Sequence, residues 1–114
     1  MLAVGKALGS FQQVFMVYND SENPELWRTV AHKDFHTGNI FFDALKDQIY
    51  FIDNDTMEDN SLITTDINMM LSILSKYKSI YKISPDDFIK GYLESFPIKQ
   101  RTALETYFKQ KQII

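Results

Sequence analysis

The sequence has no cysteine, which excludes a disulfide framework and a thiolate metal site. Proline and glycine are also scarce, with three and four residues, while 45% of the residues are apolar and 14% aromatic. This composition argues against a disordered chain and indicates a folded helical or mixed domain. With 114 residues, we expect residues 1–114 to form a single domain with its own core.

Positive charge is not in excess, and long apolar runs are missing. The formal net charge of −3 gives no basis for binding DNA, RNA or an anionic membrane surface. The apolar N-terminal stretch is interrupted by Lys6, Gln12 and Gln13, and no small-residue cleavage site follows it. No other window is long enough for a membrane span. We therefore expect a soluble, cytoplasmic protein.

The first half of the chain predicts one helix and one β-hairpin. A helix over residues 2–17 is indicated by apolar residues at helical spacing, namely Val4, Leu8, Phe11, Phe15 and Tyr18. A polar connector follows over residues 19–25. The short β-prone runs 40–42 and 49–52, separated by a polar loop, indicate an antiparallel hairpin. Residues 57–61 are acidic and are predicted to be irregular.

The second half predicts three helices. The first runs from Asp66, with Thr65 or Asp66 as its N-cap and an apolar face of Ile67, Met70, Leu71, Leu74, Tyr77 and Tyr81. The second starts with Ser84 as cap and Pro85 in its first turn, and its predicted face is Phe88, Ile89, Tyr92, Leu93 and Phe96. The third follows Pro97, with Leu104, Tyr107 and Phe108 buried. These patterns predict an α+β, mainly helical fold.

Polar residues whose side chains could take part in catalysis or metal binding cluster beside the predicted hairpin. Residues 32–39 precede its first strand, and residues 52–55 follow its second strand. A hairpin brings its two ends together, so we expect Asp34, Asn39 and Asp53 to converge. Two carboxylates and an amide oxygen are ligands that suit Mg²⁺.

These residues resemble a known pattern. His32-x-Asp34-x-His36-x-Gly38-Asn39, followed 14 residues after the asparagine by Asp53, is similar to the motifs of the aminoglycoside phosphotransferase and choline kinase branch of the protein-kinase-like superfamily. The resemblance implies a kinase-like large, C-terminal lobe made of a helix, a catalytic loop, a β-hairpin and then three helices. It implies an ATP- and Mg²⁺-dependent phosphotransferase that acts on a hydroxyl group of a small molecule.

The resemblance also implies roles for the central residues. Asp34 would orient the acceptor hydroxyl and take its proton. Asn39 and Asp53 would hold Mg²⁺, which bridges the nucleotide phosphates. The implied cofactors are ATP and Mg²⁺, and the implied partners are a nucleotide and a small hydroxyl acceptor, with neither nucleic acid nor membrane.

Further residues of the motif have supporting roles by the same resemblance. His32 would brace the loop, Gly38 would allow close backbone approach, and Asp66 would cap the catalytic loop from below. His36, taken alone, is either a metal ligand or a loop-packing residue, and we favour packing. Asp55 lies near the expected site, where a solvated acidic loop is an alternative to substrate or metal contact.

The pattern of a complete kinase is not all present. No Gly-rich phosphate loop is found, since Gly5 and Gly9 fall within the first predicted helix, and no lysine-bearing strand precedes the motif. We therefore expect the small N-terminal lobe to be absent. The chain would be a fragment, one half of a split enzyme or a degenerate relative. An apolar face left uncovered would favour self-association or a partner chain.

Two other function classes stay open at this point. A non-catalytic, pseudokinase-like interaction module follows from the missing small lobe. A metal-dependent hydrolase follows from the mixed donor set of His32, Asp34, His36, Asp53 and Asp55. The sequence does not specify the phosphate acceptor.

Overall fold

Helical periodicity and one ribbon of β-prone residues together produce an α+β fold that is mainly helical. The computed structural model describes residues 1–81 and 85–114, and it describes side chains for residues 1–76 and 85–114. Within that part of the chain the elements are α1 (Leu2–Phe15), β1 (Thr29–Ala31), β2 (Ile40–Asp43), β3 (Gln48–Phe51), β4 (Glu58–Ser61), α2 (Thr64–Tyr81), α3 (Pro85–Glu94) and α4 (Ile98–Gln110). The helix, hairpin and three-helix order of the sequence prediction is confirmed.

Helix α1 buries only part of its predicted face: Leu8 lies in the core and Val4 packs against it, but the end of the stripe is exposed. Its buried residues are Gly5, Leu8, Gly9 and Gln12, whereas Phe15 and Tyr18 of the predicted stripe are 48% and 65% exposed. The reason is that α3 and the residue after it pack against the two glycines of α1, Gly5 and Gly9. The helix also ends at Phe15, earlier than predicted, because the chain leaves it to form an antiparallel bridge between residues 17 and 28.

The predicted hairpin is confirmed, but a second sheet was missed. Strands β2 and β3 pair antiparallel, with Ile40 opposite Phe51. Strand β4, which was predicted to be irregular, pairs with β1, and Ala31 lies opposite Glu58. The side chains of β4 are polar and mostly exposed, so the strand is held by backbone hydrogen bonds to β1. A strand of this kind lacks the alternation of apolar and polar residues by which strands are recognised in a sequence.

The helix starts agree only in part with their sequence signals. Helix α2 begins at Thr64, so the prediction of Thr65 or Asp66 as its N-cap is wrong. The Asp66 carboxylate is instead bound to backbone groups of a distant loop. Helix α3 begins at Pro85 as predicted, while the predicted cap Ser84 and the side chains of residues 77 and 81 lie outside the described part.

The core joins all four helices and reaches under the loop of the candidate site. Most of the predicted apolar faces are buried, and they include Ile67, Met70, Leu74, Phe88, Ile89, Tyr92, Phe96, Leu104, Tyr107 and Phe108. The core also takes in Trp27, Phe35 and Ile63, which no periodic pattern had indicated. Phe35 stacks edge-on against Phe51 of β3, with ring centroids 5.1 Å apart, so the loop is anchored to the hairpin. In the described part of the chain, no helix is long and apolar enough to cross a membrane.

Candidate functional site

His32 fastens the loop of residues 32–39 to the end of the hairpin. It follows β1 directly and is completely buried. Its Nε2 lies 2.8 Å from the Ile52 carbonyl oxygen, and its Nδ1 lies 3.2 Å from the Asp34 amide nitrogen. A carbonyl can only accept and an amide N–H can only donate, so the ring is the neutral tautomer protonated at Nε2. Both ring nitrogens are therefore occupied.

Asp66 supports the same loop from the first turn of α2. Its two carboxylate oxygens accept hydrogen bonds from the backbone amides of His32, at 2.7 Å, and Lys33, at 2.9 Å. Burial raises the pKa of Asp66, while the two backbone hydrogen bonds act in the opposite direction. Lys33 adopts a φ of 69°, a conformation that glycine adopts more readily.

Asp34 and Asn39 are in direct contact. The Asn39 side-chain nitrogen donates to the Asp34 carboxylate oxygen Oδ2 and to the Asp34 carbonyl oxygen, both at 2.9 Å. Asn39 is only 8% exposed, whereas the Asp34 side chain is 39% exposed. Because the amide nitrogen faces Asp34, the amide oxygen Oδ1 remains as the atom that can accept a cation. Asp34 thus presents a fixed carboxylate to solvent.

His36 and Gly38 form the turn between these two residues. The backbone amide of Gly38 donates to Nδ1 of His36 at 3.0 Å, which caps the short 3-10 turn Thr37–Asn39. The other ring nitrogen, Nε2, lies 3.4 Å from Oδ1 of Asp34. A Cβ on Gly38 would lie 2.9 Å from a carbon of the His36 ring, so a glycine at this position lets the turn and the ring fit together.

Asp53 lies one residue beyond the ladder that carries Asn39. The Ile52 amide donates to the Asn39 carbonyl at 2.9 Å, which extends the pairing of β2 and β3 past the hairpin. Asp53 follows with a φ of 58°, in the left-handed region. Its side chain is exposed, as is that of Asp55 in the next turn. The hairpin thus places the backbones of Asn39 and Asp53 at the same end of the ribbon.

The sequence suggested two kinds of metal site, one with mixed His and Asp ligands and one with oxygen ligands only. Among the described side chains, those of residues 1–76 and 85–114, no three His, Cys, Asp or Glu residues group together to hold a metal ion. His32 has no free lone pair, so the five-residue hydrolase set does not assemble. Asn39 Oδ1 and the exposed Asp53 carboxylate are hard oxygen donors, the atom type that Mg²⁺ prefers.

Two supporting residues were missed at the sequence level. Phe35, fully buried, fills the space beneath the loop, and an isolated aromatic residue within a polar segment was the available signal. Thr56 donates its hydroxyl to the His32 carbonyl at 2.8 Å, and no sequence pattern marks this contact. Both residues hold the backbone of the loop that carries Asp34.

In comparisons with protein-family models, with curated proteins and with solved structures, nothing matches this chain.

Proposed function

We propose that this chain is the catalytic lobe, or part of the lobe, of an ATP- and Mg²⁺-dependent phosphotransferase that phosphorylates a hydroxyl group on a small molecule. The observation that carries the proposal is the partly exposed Asp34 carboxylate, held 2.9 Å from the Asn39 side-chain nitrogen at the hairpin end where Asp53 follows. The spacing of these residues is that of the kinase-like motif described above. A carboxylate in this setting can orient an acceptor hydroxyl.

The proposed division of labour follows from the polar atoms. Asp34 receives the hydroxyl proton as the acceptor oxygen attacks the terminal phosphorus of ATP, and ADP leaves. Asn39 Oδ1 and the Asp53 carboxylate would hold Mg²⁺, which neutralises charge on the phosphates. His32 and Asp66 do not touch the reactants, and they keep the loop in place through buried hydrogen bonds.

The proposed fold is the large lobe of a protein-kinase-like enzyme. Supporting it, α1 precedes the loop, the hairpin separates Asn39 from Asp53, and helices α2 to α4 follow. In this proposal, a phosphate-clamping loop and its lysine come from outside residues 1–114. Nucleotide affinity is therefore shared between this lobe and the part that supplies the clamp.

The proposal is tested by calorimetric titration of the chain with ATP, with and without Mg²⁺. We expect binding that requires Mg²⁺ and that weakens at least about tenfold in Asp53→Asn, since one hydrogen-bonded or coordinated charge is lost. Asparagine tolerates a positive φ, so this variant keeps the local backbone. Asp47→Asn, which changes an exposed acid that also has a positive φ at the opposite end of the hairpin, is the matched control and should bind like the wild type.

Turnover separates the role of Asp34 from those of the metal residues. In the longest natural form of the chain, Mg²⁺-dependent ATP consumption with a panel of small hydroxyl compounds should fall at least about a hundredfold in Asp34→Asn. Nucleotide binding should remain in that variant. Equal turnover by Asp34→Asn and wild type would remove Asp34 from the proposed role.

An interaction module without catalysis is the second candidate, and the outer face of the hairpin favours it. Phe41, Tyr50 and Ile52 lie on this face and are 56%, 41% and 46% exposed. Such a patch suits a second copy or a partner chain. Sedimentation of the wild type and of Phe41→Ser/Tyr50→Ser would reveal self-association through this face. Absence of nucleotide binding together with association would favour this candidate.

A further inference from the structure

A hydrogen bond from Gly38 defines the tautomer of the neutral His36 imidazole. The Gly38 amide points at Nδ1, at 3.0 Å, and a backbone N–H can only donate. Nδ1 must therefore carry the lone pair. A neutral His36 consequently bears its proton on Nε2.

The Nε2 proton faces the Asp34 carboxylate. Nε2 lies 3.4 Å from Asp34 Oδ1 and 3.3 Å from the Asn39 side-chain nitrogen. The Asn39 side-chain nitrogen is an amide donor, which already donates to Asp34 Oδ2, and an amide nitrogen has no lone pair with which to accept the Nε2 proton. Asp34 Oδ1 is the negatively charged atom that Nε2 approaches, at 3.4 Å. The carboxylate therefore has a neighbour at each oxygen: Oδ2 accepts a hydrogen bond from Asn39, and Oδ1 faces the His36 ring.

Two simpler roles for His36 fit the geometry less well. A packing role would require burial, but the side chain is 37% exposed. A metal ligand needs a free lone pair on Nε2. Because Nδ1 uses the lone pair of the neutral ring to accept from Gly38, Nε2 carries the proton and has no lone pair for a metal. The hydrogen bond from Gly38 explains the position of Nδ1 but not that of Nε2.

We propose that His36 is a positioning residue that fixes the orientation of the Asp34 carboxylate through its Nε2–H tautomer. The inference rests on the proposed phosphotransferase function, in which Asp34 must point at the acceptor hydroxyl. Without the His36 ring beside Oδ1, the carboxylate turns more freely about its terminal torsion. The chemical step slows, while nucleotide binding through Asn39 and Asp53 is retained.

Two variants separate the two nitrogens of His36. In His36→Asn the side-chain oxygen can replace Nδ1 as acceptor for Gly38, but nothing replaces Nε2. In His36→Gln the longer amide can place an N–H where Nε2 was, and the Gly38 cap is lost. A turn-capping role predicts that the asparagine variant is the better substitute. The positioning role predicts that the glutamine variant is better.

The first measurement is nuclear magnetic resonance, which reads the geometry without any catalysis. Nitrogen shifts of the wild-type His36 ring should show protonation at Nε2, and the Nε2 signal should shift in Asp34→Asn. The carbon signal of the Asp34 carboxyl should move in His36→Asn and stay close to wild type in His36→Gln. Protonation at Nδ1, or an Asp34 signal equally unaffected by both variants, would overturn the inference.

The second measurement is kinetic and depends on the proposed function. The expected kcat is about ten- to a hundredfold lower in His36→Asn, with KM for ATP unchanged, and within about threefold of wild type in His36→Gln. Equal kcat loss in both variants would overturn the positioning role. If the wild type shows no turnover while the resonance results hold, the proposed reaction fails and the His36–Asp34 coupling stands.

Discussion

Single buried polar residues set the shape of the loop that carries Asp34. His32 and Asp66 are both fully buried, and their polar atoms bind backbone groups of the loop and of Ile52. Among the described side chains, no buried nitrogen or oxygen lacks a hydrogen-bond partner. Because unpaired buried polar groups cost about 1–3 kcal/mol each, such pairing fixes one loop conformation.

Asp66 should make stability depend on pH. Burial raises the pKa of its carboxyl in the folded state, so the folded chain holds the proton to higher pH than the unfolded chain. Stability then falls as pH rises from about 4, the unfolded value, through the raised pKa, and it is constant above that. We expect the free energy of unfolding of the wild type to fall relative to Asp66→Asn over this range.

Urea unfolding of both proteins between about pH 3.5 and 7 measures this difference directly. Asparagine cannot ionise, so all other groups cancel to first order. A difference that grows with pH would mean that the hydrogen bonds from His32 and Lys33 outweigh burial. The pKa of Asp66 would then be lowered.

Among residues of the site, those inside the motif could be proposed from the sequence. His32, Asp34 and Asn39 form a compact motif, and the hairpin pattern is the reason why Asp53 was expected near them. Thr56 could not be found this way. Its hydroxyl contacts a carbonyl 24 positions earlier, and that contact exists only after β1 and the turn following β3 have been brought together.

At the scale of elements, the closest packing is between α1 and α3. A Cβ on Gly5 would lie 2.0 Å from the Phe88 carbonyl oxygen, and one on Gly91 would lie 2.0 Å from the Leu2 carbonyl oxygen. Neither position has room for a side chain. Glycine therefore occupies helix interiors here for close backbone approach, despite its low helix propensity.

Gly5→Ala should destabilise the fold by about 1–3 kcal/mol, because the added methyl group overpacks the contact with α3. Propensity alone predicts the opposite sign, a gain of about 1 kcal/mol. Thermal or urea unfolding measures the change. Val14→Ala, at a position on the same helix that is 76% exposed, is the control and should change stability by less than about 0.5 kcal/mol. A stabilised Gly5→Ala would show that the two helices separate easily.

The sequence predicted elements better than it predicted their faces. Apolar spacing located the four helices and the hairpin, because these features repeat within a few residues. It was right only in part about the buried side of α1, where Leu8 is buried as predicted but Phe15 is exposed and Gln12 is buried. The glycine contacts with α3 decide that orientation, and they involve a helix some 80 positions away.

At the scale of the whole molecule, Gln12 connects four parts of the chain. Its side-chain nitrogen donates to the Ile63 carbonyl at 3.1 Å, its side-chain oxygen accepts from the Tyr92 hydroxyl, and its own carbonyl accepts from Thr29 at 2.8 Å. These contacts join α1 to β1, to the start of α2 and to α3. Burial raises the pKa of the Tyr92 hydroxyl, which therefore stays protonated as a donor.

A double-mutant cycle tests this connection. Gln12→Leu should cost about 3 kcal/mol, because the Tyr92 hydroxyl and the Ile63 carbonyl lose their partner. Tyr92→Phe should cost less, since it leaves only the side-chain oxygen of Gln12 without its partner. The double variant should be less destabilised than the sum of the two, because both members of the Gln12–Tyr92 pair are removed together. Strict additivity in urea unfolding would show that the pair does not interact.

The amino-acid sequence by itself determined the α+β composition, the helix and hairpin positions and the motif residues around Asp34, since each depends on neighbours close in the chain. The tertiary structure alone decided the pairing of β4 with β1, the buried side of α1 and the bonds of Gln12, His32 and Asp66. Gln12 reaches partners 51 and 80 positions away, and Asp66 reaches a partner 34 positions away. Such contacts form only when the whole core is assembled, because packing between distant segments selects which polar groups are buried together.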